Sequence, residues 1–399
     1  VKATATAAPL LSTPTRTHRP LRLGVIAPSR HPIRQPYAGG QEAIVGQLVI
    51  RLRQRGHHVT FFAGEGSDHA DPDYAFPLTA WAPSSEAAQD QSMPADGFMR
   101  DHHSHLRLMM ALAGPLSGAF DLVHNHSLHH LPVAMAPLLG TTVLTTLHTP
   151  PTPWLESAIH SAPGSGGLRF ASVSRFVAHQ WRTLAARRRP HVVLNGVDLD
   201  AWSPGPGGGP LVWFGRLVPE KAPHLAVRAA RLAARPLVLA GPISDREYFQ
   251  QVVRPLLDDE VEYAGHLGIP DLSRLVGSAV AALVTPVWDE PYGLVVAEAV
   301  ACGTPVVSFA RGGIPEVMGS PLRGAEDDDV SVLTPAGALV PPGDVTAMAA
   351  AVDDAVQLDR EAVRTFAERT LSIDRTVTRY ERHYRRLLSG STWEADRTA

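Results

Sequence analysis

Trp288-Asp289-Glu290-Pro291-Tyr292-Gly293-Leu294-Val295-Val296-Ala297-Glu298-Ala299-Val300-Ala301-Cys302-Gly303-Thr304-Pro305-Val306-Val307 holds a loop, a helix start and a strand in one short segment. A carboxylate and a proline mark the loop. Gly293 precedes an apolar, helix-favouring run, and Cys302-Gly303-Thr304-Pro305 stops that run before a β-branched stretch. Glycine lets a ligand approach the backbone closely. The amides of Gly293, Leu294 and Val295 are left without intrahelical partners, with the helix dipole behind them, and so form an anion site. Glu290 stands before that site, and Glu298 lies about one and a half turns into the helix. Two carboxylates around a phosphate make little sense by charge. They make sense as acceptors for hydroxyls on either side of it, as in a nucleotide sugar. Glu298 is flanked by Val295, Val296, Ala297, Ala299 and Val300, so its burial requires a compensating partner.

Working outward, Ser203-Pro204-Gly205-Pro206-Gly207-Gly208-Gly209-Pro210 is dense in Gly and Pro and reads as a linker at 203–210. Beyond it, strands are expected at 211–214, 237–240, 261–264, 281–284 and 305–309, with helices at 223–234, 245–257 and 270–277 between them. Before it, the strand 21–27 hands over through Gly39-Gly40 to a helix ending at Arg55, followed by the strand 58–63. A helix at 101–116, the strand 121–126, a helix at 132–139 and the strand 141–147 come next. The strand 169–174, the helix 175–187 and the strand 191–194 complete this half. Such alternation builds parallel sheets with helices on both faces. The expected fold is α/β, with two Rossmann-like doubly wound domains at 21–202 and 211–372, an interdomain cleft and one more helix within 373–399. Gly39-Gly40, His126, His148, Ser174 and Asn195 fall beyond the carboxyl ends of strands, where open parallel sheets bind ligands.

A chain of 399 residues, 44% hydrophobic, can bury two ordinary cores. Its net charge of −3 argues against nucleic acid as a partner. The single cysteine, Cys302, excludes a disulfide framework and fits a reducing compartment. No apolar run reaches the length of a membrane span. Residues 1–20 carry Arg16, His18 and Arg19, no acidic residue and no continuous apolar stretch, and are expected as a disordered leader rather than a signal peptide. A cytoplasmic protein without integral membrane association follows. Residues 65–97 are polar and weakly patterned, a surface excursion within reach of an acceptor.

The pair Glu290 and Glu298, closed by Glu298-Ala299-Val300-Ala301-Cys302-Gly303-Thr304-Pro305-Val306, resembles the Glu-x7-Glu signature of the retaining family-four glycosyltransferases, which have the GT-B fold. The resemblance extends over residues 21 to 385. In Gly215-Arg216-Leu217-Val218-Pro219-Glu220-Lys221-Ala222, two cations bracket a turn and suit a diphosphate. The segment is similar to the family's Gly-Arg…Lys-Gly element, whose cations bind the pyrophosphate, except that Ala222 stands where glycine is usual. The resemblance further implies that Glu298 accepts from ribose hydroxyls and Glu290 from a sugar hydroxyl. Amides at Tyr292, Gly293, Leu294 and Val295 would hold the distal phosphate and sugar, and His266 and Leu267 would meet the base. Gly39 and Gly40 would reach the phosphates from the other domain. His148, at the end of Thr145-Thr146-Leu147-His148, would face the transferred sugar, and the last helix would pack back onto the first domain.

The activity so implied is a retaining, metal-independent hexosyltransferase with no cofactor, taking a nucleotide sugar, UDP-linked foremost. Its acceptor would be a small soluble molecule such as a natural product or aminocyclitol. His126, Trp154 and Ser174 are the acceptor-binding candidates. A cell-envelope lipid or polysaccharide transferase using a GDP- or UDP-sugar, and a non-catalytic sugar-nucleotide-binding protein, are the alternatives. An Asp-x-Asp metal-dependent transferase is disfavoured because neither Asp71-Pro72-Asp73 nor Asp198-Leu199-Asp200 follows a strand in the right context. A phosphorylase-like enzyme lacks a spare lysine for pyridoxal phosphate. His102-His103-His105 and His124, His126, His129 and His130 raise the question of a metal, but no Glu of a His-Glu-x-x-His pattern and no cysteine partner accompanies them, so none is expected.

Overall fold

The computed structural model describes residues 19–70, 84–85, 87–89, 96–162, 167–182, 189–320 and 331–389. The expected leader, apart from Arg19 and Pro20, most of the 65–97 excursion and the end of the expected 175–187 helix lie outside the described residues.

The first lobe contains β1 (Arg22–Ile26), α1 (Gly40–Gln54), β2 (His58–Phe62), α2 (Asp96–Ala113), β3 (Leu122–Asn125), α3 (Leu131–Met135), β4 (Thr142–Leu147), α4 (Pro153–Ser161), β5 (Leu168–Ser172), α5 (Arg175–Gln180) and β6 (His191–Val192). Its six strands pair in parallel in the order β2-β1-β3-β4-β5-β6. The second lobe contains β7 (Leu211–Phe214), α6 (Pro223–Leu232), β8 (Leu237–Ala240), α7 (Arg246–Tyr248), β9 (Val261–Tyr263), α8 (Ile269–Ser278), β10 (Ala282–Val284), α9 (Leu294–Ala301), β11 (Val306–Phe309), α10 (Ile314–Val317), β12 (Val332–Thr334), β13 (Gly337–Val340), α11 (Val345–Val356) and α12 (Arg360–Thr370). Its seven strands run in the order β12-β13-β11-β10-β7-β8-β9, parallel except for the β12/β13 pair. In the first sheet the order reverses between β1 and β3, and in the second between β7 and β10. Crevices open at the carboxyl ends of strands at such switch points.

α13 (Ile373–Leu388) carries Ile373, Val377, Tyr380 and Tyr384 at helical spacing, and these bury into the first lobe's core beside Leu23, Val25, Ile44 and Leu48. Arg55, at the end of α1, pairs with Asp374 and Glu381 of α13 at 2.8 Å each. The last helix therefore returns to the first lobe.

Several elements depart from the sequence reading. The Gly/Pro segment 203–210 is pinned rather than loose. Gly205, Gly207 and Gly209 donate their amides to Cys302, Gly277 and Ser278 oxygens, and a Cβ on Gly205 would lie 2.3 Å from the Gly277 carbonyl carbon. Close backbone approach, not flexibility, requires glycine there. Pro150-Pro151-Thr152-Pro153 opens α4, with Pro153 in the first turn, where a missing amide costs nothing. The helix expected over 245–257 stays α-helical for one turn only, then widens into a π turn and tightens into a 3-10 turn at Pro255, which has no amide to continue the ladder. The alternation read from the sequence stops at Phe309, yet the chain adds β12, β13 and three helices before α13.

Candidate active site

The two switch points face one another across a cavity of about 680 Å³. The loop after β7 brings Arg216 and Lys221 to it. The loop after β10 brings Glu290, Tyr292 and Gly293, and α9 brings Leu294, Val295 and Glu298. His266 and Leu267, after β9, form another part of the wall. From the first lobe, Gly39, Gly40, His148 and Trp154 reach the same cavity.

Gly293 adopts φ +93°, and a Cβ there would meet Ile314 Cγ1 at 2.8 Å, so both conformation and space demand glycine at the start of α9. Gly40 packs so closely against α9 that its Cβ would lie 3.1 Å from Leu294 Cδ2. Gly40 thus lets the lobes approach at the helix start. Ala222 sits in the left-handed region at φ +47°, ψ +54°, which is the physical reason for the glycine usual at that position.

Lys221 donates to Glu290, whose Oε1 also accepts from Trp288 Nε1 at 3.0 Å, and the Lys221 ammonium lies 5.3 Å from the Trp288 ring centre. Arg216 is more open, with Glu220 3.6 Å away. Glu298 is half-buried and keeps part of its surface on the cavity. Among the described residues its carboxyl has no hydrogen-bond or ion-pair partner, and burial pushes its pKa up to about 8. A carboxyl paying a desolvation cost beside a cavity is arranged for a partner that arrives from outside.

On the opposite wall, His148 is 8% exposed, and burial lowers its pKa to about 3, so the ring is neutral. Trp154, 60% exposed, stacks on His130 with centroids 5.2 Å apart and meets Phe98 at 5.9 Å. A planar face is thereby offered at the cavity mouth, with His129 and His130 behind it, which the sequence reading did not single out for binding.

Two acceptor candidates are corrected. His126 does not reach the cavity. It is 1% exposed and lies behind His148, its Nδ1 2.9 Å from His148 Nε2. Ser174 is fully buried at the start of α5. It accepts from the Val177 amide at 3.1 Å and donates to the Pro291 carbonyl at 2.6 Å, which ties the lobes together. Tyr292 to the Asn195 carbonyl and Glu316 to Arg175 are further ties of this kind.

The histidine clusters are resolved into two groups. His102, His129 and His130, and Asp101, His105 and His129, each bring ligating atoms within 4.8 Å. His129 Nδ1 accepts from the Leu131 amide at 3.2 Å, so its buried Nε2 carries the proton and is a donor rather than a metal-ligand lone pair.

The two parallel sheets and the cleft between them define the GT-B fold of glycosyltransferases. Comparison with known proteins agrees. A family model described as Glycosyltransferase Family 4 matches residues 38–201, and one described as Glycosyl transferases group 1 matches residues 209–357. The chain belongs to the family-four glycosyltransferases. It is 29% identical to a D-inositol 3-phosphate glycosyltransferase of Mycolicibacterium smegmatis over 77% of this chain and 80% of the relative. Among solved structures, AviGT4, a glycosyltransferase involved in avilamycin A biosynthesis, superposes with a TM-score of 0.63 at 23% identity, covering 94% of this chain and 100% of that one. Anabaena HepE in complex with UDP-glucose gives 0.62 at 17% identity, covering 91% and 99%. No helix among the described residues is long and apolar enough to cross a membrane.

Proposed function

We propose that this glycosyltransferase is a retaining hexosyltransferase that moves a hexose from a UDP-sugar to a hydroxyl of a small acceptor without a metal ion. The observation that carries the donor assignment is Glu298, a half-buried carboxyl without a partner among the described residues, bordering the cavity on the same helix whose start is open at Gly293. A ribose diol supplies the hydrogen bonds this carboxyl lacks, and the diphosphate then extends toward the α9 amides, Arg216 and Lys221. The hard step is departure of the diphosphate. The two cations and the helix start stabilise its growing charge in place of a metal. Glu290, held by Lys221 and Trp288, accepts from a sugar hydroxyl. Retention follows from attack on the face of departure, with the leaving phosphate taking the acceptor's proton, so no protein nucleophile is needed. The UDP-glucose bound by the HepE relative supports the nucleotide, and the inositol-phosphate and avilamycin relatives support a small polyol or natural-product acceptor over a lipid. The ring face of Trp154 suits the apolar face of such an acceptor.

Calorimetric titration with UDP-glucose, UDP-N-acetylglucosamine and GDP-mannose tests the reading, with Glu298→Ala and Arg216→Ala alongside wild type. Binding of one UDP-sugar that weakens in both variants supports it. Binding indifferent to both substitutions overturns the site, and preference for GDP-mannose overturns the nucleotide.

A further inference from the structure

The last helix, α13, sorts its side chains by direction. Ile373, Val377, Tyr380 and Tyr384 face the core of the first lobe. Its two acidic residues, Asp374 and Glu381, share one flank, where both pair with Arg55. At about 100° per residue, Arg375, Arg379, Arg382 and Arg386 fall within roughly 60° of one another on the remaining flank. They form one stripe about 16 Å long.

No anion of the described chain answers this stripe. Among the described residues none of the four guanidinium groups has an ion pair or a hydrogen bond. Arg375, Arg382 and Arg386 are exposed, and Arg379 is half-buried. Arg379 is held below the usual arginine range, first by burial and then by the like charges of Arg375, Arg382 and Arg175. Arg175, on α5, has its own partner in Glu316. Four unpaired cations lie within about two Debye lengths at 0.1 M salt and repel one another. Concentrated in this way in a chain of net charge −3, they make a local positive field that suits an anionic partner.

The kind of anion follows from what accompanies the charges. Protein interfaces are built around a desolvated apolar or aromatic centre. Among the described residues of α13 the only exposed large apolar side chain is Leu388, at the helix end and off the stripe. Single-stranded nucleic acid asks for aromatic faces between the cations, and here Tyr380 and Tyr384 are turned into the core. The chain's net charge has the wrong sign for a duplex binder. A layer of anionic lipid headgroups requires charge alone, and a straight stripe on a convex helix matches a plane.

We infer that the arginine stripe of α13 docks the enzyme on a membrane surface rich in anionic phospholipid. The docking is peripheral, because the apolar face of α13 stays in the first lobe and only guanidinium groups reach the headgroups. It sets where the enzyme sits and does not require a lipid acceptor, so it stands apart from the proposed function.

The test is co-sedimentation of the full chain with vesicles of equal parts phosphatidylglycerol and phosphatidylcholine, against phosphatidylcholine alone. At about 50 mM salt wild type is expected to pellet with the anionic vesicles only, and about 500 mM salt should release it, because screening shortens the reach of exposed charges. Each arginine near such a surface contributes about fivefold in partition, so Arg382→Gln/Arg386→Gln should bind roughly 25-fold more weakly. Arg228→Gln/Arg246→Gln removes two exposed arginines of the second lobe and should bind as wild type does. Wild type that stays in solution with anionic vesicles at low salt overturns the inference, as does equal pelleting with phosphatidylcholine alone. These two arms decide even if the α13 variant fails to fold. An unchanged partition in a folded α13 variant, or an equal loss in the second-lobe variant, overturns it as well. Duplex DNA that strips the protein from the vesicles at matched phosphate concentration overturns the choice of lipid over nucleic acid. No nucleotide sugar is present, so this result and donor binding by calorimetry succeed or fail separately.

Discussion

Replacing Glu298 by Gln separates the cost of the site from its use. In the folded protein the Glu298 pKa rises from 4.5 to about 8 because burial penalises the charged form. At about 1.4 kcal/mol per unit this bounds the penalty at roughly 5 kcal/mol. The carboxyl borders an open cavity, and solvent screening there reduces the expected figure to about 2–3 kcal/mol. The sign follows from proton binding. Below the unfolded value both states are protonated and the group contributes nothing. Between that value and about 8 the folded chain retains a proton that the unfolded chain releases, so stability falls as pH rises, and above it the penalty is complete. Gln cannot ionise. Glu298→Gln should therefore match wild type in denaturant unfolding near pH 4 and exceed it by about 2–3 kcal/mol near pH 9.

The same substitution should weaken UDP-sugar binding, because hydrogen bonds to a carboxylate are worth about 1.5–3 kcal/mol and neutral ones about 1 kcal/mol, a loss of roughly two- to thirtyfold per bond. Wild type should release a proton on binding near neutral pH, read as a dependence of the calorimetric enthalpy on the buffer's ionisation heat, and Glu298→Gln should not. A variant no more stable than wild type at alkaline pH refutes the unpartnered carboxylate. A variant that binds donor as tightly as wild type refutes its use.

Arg216 and Lys221 should differ in stability and agree in turnover. Arg216→Ala removes an exposed cation with a loose 3.6 Å partner and should cost under about 0.5 kcal/mol, whereas Lys221→Met strands the buried Glu290 and should cost about 2–4 kcal/mol. Both should lower donor turnover on the order of 100-fold, and equal losses of stability in denaturant melts refute the difference in environment. Gly40→Val places two methyl groups against Leu294, so donor KM should rise roughly tenfold with the thermal midpoint little changed; an unaltered KM removes Gly40 from the phosphate side of the cleft. Ser174→Ala deletes a helix cap and a bond to Pro291, and should cost about 1–2 kcal/mol while leaving acceptor KM unchanged. A raised acceptor KM at unchanged stability restores Ser174 to the acceptor pocket.

The second lobe's wall of the cavity was legible because its signals are local. A glycine at φ +93° before an apolar run, or two cations across a turn after a strand, shape the backbone where they stand, and strand alternation tells which sheet edge they occupy. His126 and Ser174 failed as acceptor residues for the converse reason. Position at a strand's end says where a loop lies, not which way a side chain turns, and here one turns behind His148 while the other crosses to Pro291. The run 203–210 misled in the same way, since Gly marks close packing as readily as freedom, and only the neighbour at Gly277 distinguishes the two. Long-range partners also hide the polar contacts behind His148, where His126 and His124 meet Tyr384 only when α13 packs home. The first lobe's wall of the cavity is thus written in tertiary contacts and the second lobe's wall in sequence. If acceptor specificity is carried by first-lobe rings such as Trp154, two chains with the same Glu-x7-Glu segment can choose different acceptors through changes far from either carboxylate.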